Sequence, residues 1–156
     1  MFVAALVLLF ILRLRFPKGQ PISNILTRRY GRPALLSFRK AEKSYFKAKK
    51  VELDLKFLKT CKDYDIIPKF IRFRVHNPNF LYTRTYRSWQ FKLLDIEIDS
   101  QSKKLKKCKN DYARATRDLE SVCSYFDFKC IESLIKSNLD KKVTNVKRIH
   151  DRKLYI

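Results

Sequence analysis

Apolar residues recur at steps of three and four along two long stretches of this chain. Ala34, Phe38, Ala41, Tyr45, Ala48, Val51, Leu55, Leu58 and Cys61 form the first series, the spacing of one face of a helix. The second opens after the Asn77-Pro78-Asn79 turn, with Thr83 or Thr85 as its cap. It takes in Tyr86, Trp89 or Gln90, Leu93 or Leu94, Glu97 or Ile98, Gln101, Leu105, Cys108, Tyr112, Ala115, Leu119, Val122 and Phe126. Helical spacing assigns Trp89 to the apolar face, and the polar run Asp99–Ser102 marks the least costly place for a kink. A shorter third helix is expected over Asp127–Leu139, with Ile131, Leu134, Ile135 and Leu139 as its apolar side. Two long stripes joined by a turn predict an antiparallel hairpin.

The segments between and around the stripes follow from their punctuation. Ile66–Val75 alternates apolar with basic residues, and Pro68 disfavours helix at Ile67, so an extended segment or a brief helix is expected over the hairpin end. Pro17–Pro33 holds three of the five prolines and both glycines, which reads as a linker with little beyond a turn at Ser23–Arg29. Phe2–Leu12 is an unbroken apolar run, yet even Phe2–Phe16 makes only about 22 Å of helix against a hydrocarbon core of ~30 Å. It suits an apolar N-terminal helix packed on the body, or a short anchor that Arg13, Arg15 and Lys18 would hold on the cytoplasmic side. Lys141–Lys153 has no stripe and reads as a frayed basic tail. The expected class is therefore all-α: a coiled-coil-like antiparallel two-helix hairpin with a short third helix and an apolar N-terminal helix. Its parts are an apolar segment over 1–16, a basic Pro/Gly linker over 17–33, the hairpin domain over 34–139 and a basic tail over 140–156.

Charge changes the picture from architecture to partner. The chain carries 36 basic and 15 acidic residues, a net charge of +21. Such an excess repels itself unless a polyanion or an anionic surface neutralises it. Residues 1–50 hold 12 basic and 1 acidic residue, whereas 51–100 hold 9 and 7, so the cations concentrate towards the ends. Around Tyr30 stand Arg28, Arg29 and Arg32; the side of the first helix away from its stripe carries Arg39, Lys40, Lys43 and Lys47. The linker adds Arg72 and Arg74, the start of the second helix Arg84 and Arg87, and its middle Lys103, Lys104, Lys106 and Lys107. These fifteen cations are the candidate binding residues, and neutralising phosphate is their expected role. Tyr30, Phe73, Tyr82, Tyr86 and Trp89, interleaved with them, offer faces for stacking on unpaired bases.

Catalytic chemistry finds little to work with. The two glycines are isolated, so there is no phosphate loop, and no H-E-x-x-H, G-x-S-x-G or kinase signature occurs. Cys61, Cys108, Cys123 and Cys130 form no C-x-x-C and stand at no metal spacing from His76 or His150, so neither metal nor cofactor is expected. They suit small buried hydrophobes in a reducing compartment. The reading is a non-enzymatic intracellular protein of nucleus or cytoplasm, taking no small-molecule substrate, whose partner is the RNA or DNA backbone. The alternative is a membrane-associated, tethered coiled-coil protein with its C-terminal part cytoplasmic. Its partners would be an anionic membrane surface, reached through Phe2–Phe16, and a pairing helix.

Particular residues also resemble a known group. Tyr30-Gly31-Arg32, Arg39-Lys40 with Lys43, Leu53-Asp54-Leu55 with Phe57-Leu58 and Cys61, Ile67-Pro68-Lys69-Phe70, Phe73-Arg74, and Tyr86 with Trp89-Gln90 and Leu93-Leu94 carry the likeness. Over Tyr30–Phe126 the chain resembles the helical N-terminal region of metazoan retroelement reverse transcriptases, Penelope-like elements above all. The resemblance implies a cationic helical extension ahead of a polymerase and an endonuclease. It carries over no catalytic residue, since neither enzyme domain fits in the chain and no polymerase Asp pair is present.

Overall fold

The computed structural model describes Val7, Phe10 and residues 20–72 and 84–154. The elements among them are helices: α1 (Ile22–Asp63), α2 (Lys69–Arg72), α3 (Arg84–Val122) and α4 (Tyr125–Leu154). The expected apolar N-terminal helix lies outside the described residues, apart from the exposed Val7 and Phe10. None of the described helices is long and apolar enough to cross a membrane.

α1 begins a full three turns before the expected start. Residues 22–30 are helical where a linker was expected, and Ile25 and Leu26 are buried. The punctuation marks boundaries, not an absence of helix. Pro21 stands just before the first turn, and its carbonyl accepts the Asn24 N–H at 2.9 Å. Gly31 breaks the helix with φ 80° and ψ −172°, a backbone that a side chain resists. Pro33 then falls in the first turn after the break, where its missing N–H has no partner to lose. From there all nine residues of the first stripe are buried. The helix closes on Asp65 at φ 54°, with Ile66 N–H donating to the Cys61 carbonyl at 2.8 Å and Asp65 N–H to that of Lys62 at 3.2 Å. That pair of bonds satisfies the carbonyls a helix end leaves open.

α2 is the brief helix allowed after Pro68, and Ile67 and Ile71 turn inward on either side of its start. α3 runs without interruption through Asp99–Ser102. One position on it departs from expectation: Gln90 is buried and Trp89 is 48% exposed. α4 is capped by Ser124, whose Oγ accepts the Asp127 N–H at 3.4 Å. It then continues beyond Leu139 to Leu154, so the basic tail is helical over most of its length and not frayed.

The chain forms two compact units: Asp111–Lys142 with the residues up to Tyr45, and Phe46–Asn110 with the residues from Val143. In the first, Tyr45 meets Tyr112 with ring centroids 5.2 Å apart, while Tyr30 reaches Ser124 at the far end of α3. α1 and α3 are therefore antiparallel there. α4 folds back to run parallel to α1, because Tyr30 bonds Asp127 and Tyr45 bonds Asp140. Leu26, Leu119 and Ile131 are almost wholly buried in this unit. In the second unit, Ala48 and Val51 cluster with Cys108 against Leu105. Leu58, Ile67, Ile71 and Leu94 form another cluster, against Phe57, Phe91, Leu93 and Ile98. The pairing again runs antiparallel, as the hairpin pattern predicts. All four cysteines are buried.

Candidate nucleic-acid interface

The cations of the first unit occupy the side of α1 that its packing leaves outside. Ala34, Phe38, Ala41 and Tyr45 face inward, and the exposed Arg32, Arg39 and Lys43 follow one another at steps of seven and four. Those steps place them on a single outward stripe ~16 Å long. Lys40 is exposed one position round from it, and Arg28 is exposed on the turn before the Gly31 break. Among the described residues none of these five makes an ion pair. A basic stripe without internal carboxylates keeps its full charge for an external anion.

Arg29 differs from its neighbours. Its guanidinium lies 3.6 Å from Oδ2 of Asp127, a carboxylate with a side-chain exposure of 3%. The Tyr30 hydroxyl donates to the same oxygen at 2.5 Å and stands 3.1 Å from Ser124 Oγ. It also accepts the Ser124 N–H at 3.4 Å, one of the donors that the start of α4 leaves open. Asp127 sits in the first turn of that helix, where the exposed peptide dipoles favour negative charge. Arg29 thus belongs to an internal junction, and its charge is already matched.

In the second unit Lys103, Lys104, Lys106 and Lys107 are all exposed on the outward half of α3, around the buried Cys108. None forms an ion pair among the described residues, and the same holds for the exposed Lys47 on α1. Lys62 is the contrast: its Nζ meets Asp95 Oδ1 at 2.6 Å, and that hydrogen bond and charge hold its ammonium above its ordinary pKa. The exposed Arg87 stands 6.0 Å from the centre of the Phe91 ring, an aromatic contact one turn along. Arg72 ends α2 and Arg84 begins α3, while Arg74, Phe73, Tyr82 and His76 lie outside the described residues.

Sequence reasoning passed over two features. Arg114 and Arg117 are exposed on the part of α3 that belongs to the first unit, and the same outward-cation rule would have found them. Asp127 enters the sequence reading only as the first residue of the expected third helix, but Ser124-Tyr125-Phe126-Asp127 is the S-x-x-D signature of a capped terminus. Other polar groups are buried without serving a site. The Tyr112 hydroxyl is enclosed with no hydrogen-bond partner among the described residues, and burial, with the nearby Glu132 charge, pushes its pKa up to about 12. Burial and then the Asp127 charge push the Cys123 thiol up to about 11, which keeps it protonated and unreactive at neutral pH. Among the described residues no three His, Cys, Asp or Glu side chains converge on a metal position. Comparison of the chain with protein-family models, curated proteins and solved structures gives no match. Among the described residues the arrangement offers point charges on helix faces.

Proposed function

We propose that the chain is a non-catalytic helical module that binds the phosphates of nucleic acid with little sequence preference. One observation carries the reading. The outward stripe of Arg32, Arg39 and Lys43, with Lys40 beside it, is exposed and makes no ion pair among the described residues. Lys103, Lys104, Lys106 and Lys107 repeat the arrangement on α3. Point charges on a rigid face read the backbone and not the bases, so affinity depends on salt more than on sequence. Arg29 is dropped from the binding set because Asp127 occupies it.

A second element of the proposal rests on the resemblance alone. The module derives from the helical region preceding a Penelope-like reverse transcriptase, and a genomic reading frame continuing into a polymerase would support that descent. The binding reading is tested by anisotropy of labelled RNA and DNA oligonucleotides. Binding at ~50 mM salt should weaken by about 10³-fold or more at ~200 mM if six or more phosphates are contacted. Replacing Arg39, Lys40 and Lys43 together by glutamate should reduce both affinity and salt slope. Absence of binding to either nucleic acid at low salt refutes the reading.

A further inference from the structure

We propose that Trp89 is a stacking platform for an unpaired base, so that the module's ligand is single-stranded nucleic acid. This rests on the phosphate-binding reading above and narrows it.

Two neighbouring residues on α3 have exchanged their expected places. Gln90, which carries two donors and an acceptor, is 7% exposed, while the indole of Trp89 is left 48% exposed. The register that buries Leu94 and Cys108 also turns Gln90 inward and leaves the indole outside, and a buried polar group next to an exposed large aromatic is an informative departure from the usual distribution. Ile96, seven residues on, is also exposed at 63%, and Leu93 between them is half-buried. Trp89, Leu93 and Ile96 make a short apolar strip at steps of four and three. The same steps continue through Ser100 to Lys103 and Lys107. From Trp89 to Lys107 is eighteen residues, five helical turns, so the indole and the lysines share one side of α3 about 27 Å long. Lys92, also exposed, stands one turn from the indole.

An aromatic face in line with cations that make no ion pair among the described residues is the combination that single strands require. Every base presents a π-face to stack, while the backbone follows the charges. A duplex has its bases already stacked on one another and offers such an indole nothing. The charge of the chain, +21, favours a polyanion over a pairing helix as the occupant of this side.

Trp89 is the only tryptophan in the chain, so its emission reports its own contact. The full-length protein is titrated with a labelled 15-nucleotide thymidine or uridine strand and with a duplex of the same length. Label anisotropy and tryptophan emission are followed in parallel. The expected result is quenching by the single strand and little by the duplex. Trp89→Ala should weaken single-strand binding about fivefold or more and leave duplex binding unchanged, while Trp89→Phe retains most of the affinity. Should Trp89→Ala fail to keep its helical circular dichroism, the phenylalanine variant and the wild-type quenching decide. Binding by anisotropy with unchanged emission and equal affinity for both oligonucleotides overturns the stacking role and leaves phosphate binding standing. No anisotropy change at low salt overturns both. A blue shift that grows with protein concentration alone assigns the strip to a second copy of the chain and also overturns the proposal.

Discussion

Removing one hydroxyl from either of two tyrosines should have opposite consequences. The Tyr30 hydroxyl donates to Oδ2 of Asp127 at 2.5 Å, and Asp127 is 2% exposed, so water has no access to replace the lost donor. A hydrogen bond to a charged group contributes about 1.5–3 kcal/mol, and an orphaned buried acceptor adds its own desolvation penalty. Arg29 at 3.6 Å and the first turn of α4 remain to the carboxylate after Tyr30→Phe and limit the loss. We expect a destabilisation of about 2 kcal/mol, or a fall in Tm of ~4–8 °C for a chain of this size. The Tyr112 hydroxyl is equally enclosed but has no partner among the described residues. Tyr112→Phe removes an unsatisfied polar atom and should leave stability unchanged or raise it by up to about 1 kcal/mol. Urea unfolding followed by far-ultraviolet circular dichroism, at equal m-values, measures both. A Tyr30→Phe protein within ~0.5 kcal/mol of the parent, or a Tyr112→Phe protein losing as much as Tyr30→Phe, would refute the account of the junction.

Further outcomes follow from the backbone, the thiols and the register. Gly31→Ala should cost about 1 kcal/mol from the positive φ alone, because the nearest side-chain atom to an added Cβ is Pro33 Cδ at 3.7 Å; thermal melting measures it, and an unchanged Tm would sink the argument. The Cys123 thiol titrates near its ordinary 9.0 when unfolded and at about 11 when folded. Between those values the unfolded chain has released the proton and the folded chain holds it, so stability present in full below pH 9 should fall as the pH rises through 11. Tyr112 adds a second decline between 10.0 and about 12, and Tyr112→Phe should remove that part of the urea-midpoint profile. Thiol-specific alkylation at neutral pH should be slow for all four cysteines in the folded chain and rapid in urea, since each is buried.

The hairpin was legible because its signal is repeated. Nine stripe residues from Ala34 to Cys61 fix the inward face of α1, and an error at any single position leaves the rest intact. What failed to show depended on single residues. Composition places Pro21, Gly31 and Pro33 in a linker, yet each stands at a helix boundary or a break where its particular backbone is tolerated. Ile25 and Leu26 carried the missing signal, a pair too short to count as a stripe. The continuation of α4 beyond Leu139 was hidden in the same way, by a basic composition without apolar period. Trp89 and Gln90 are adjacent, and a stripe read at steps of three or four cannot choose between neighbours. Of the candidate interface, the outward cations were visible from the sequence. The capture of Arg29 was not, because Asp127 is nearly a hundred residues away in the chain.

The two tyrosine bonds of the first unit also measure out its helices against each other. Tyr30 and Tyr45 are separated by fifteen residues, and their carboxylate partners Asp127 and Asp140 by thirteen. At ~1.5 Å per residue of straight helix the two spans differ by about 3 Å, and both bonds form nonetheless. The pair of anchors works as a vernier. Inserting or deleting one residue between Arg32 and Ser44 should leave at most one of the two bonds in place, a sensitivity to length that the side-chain pattern alone would not reveal.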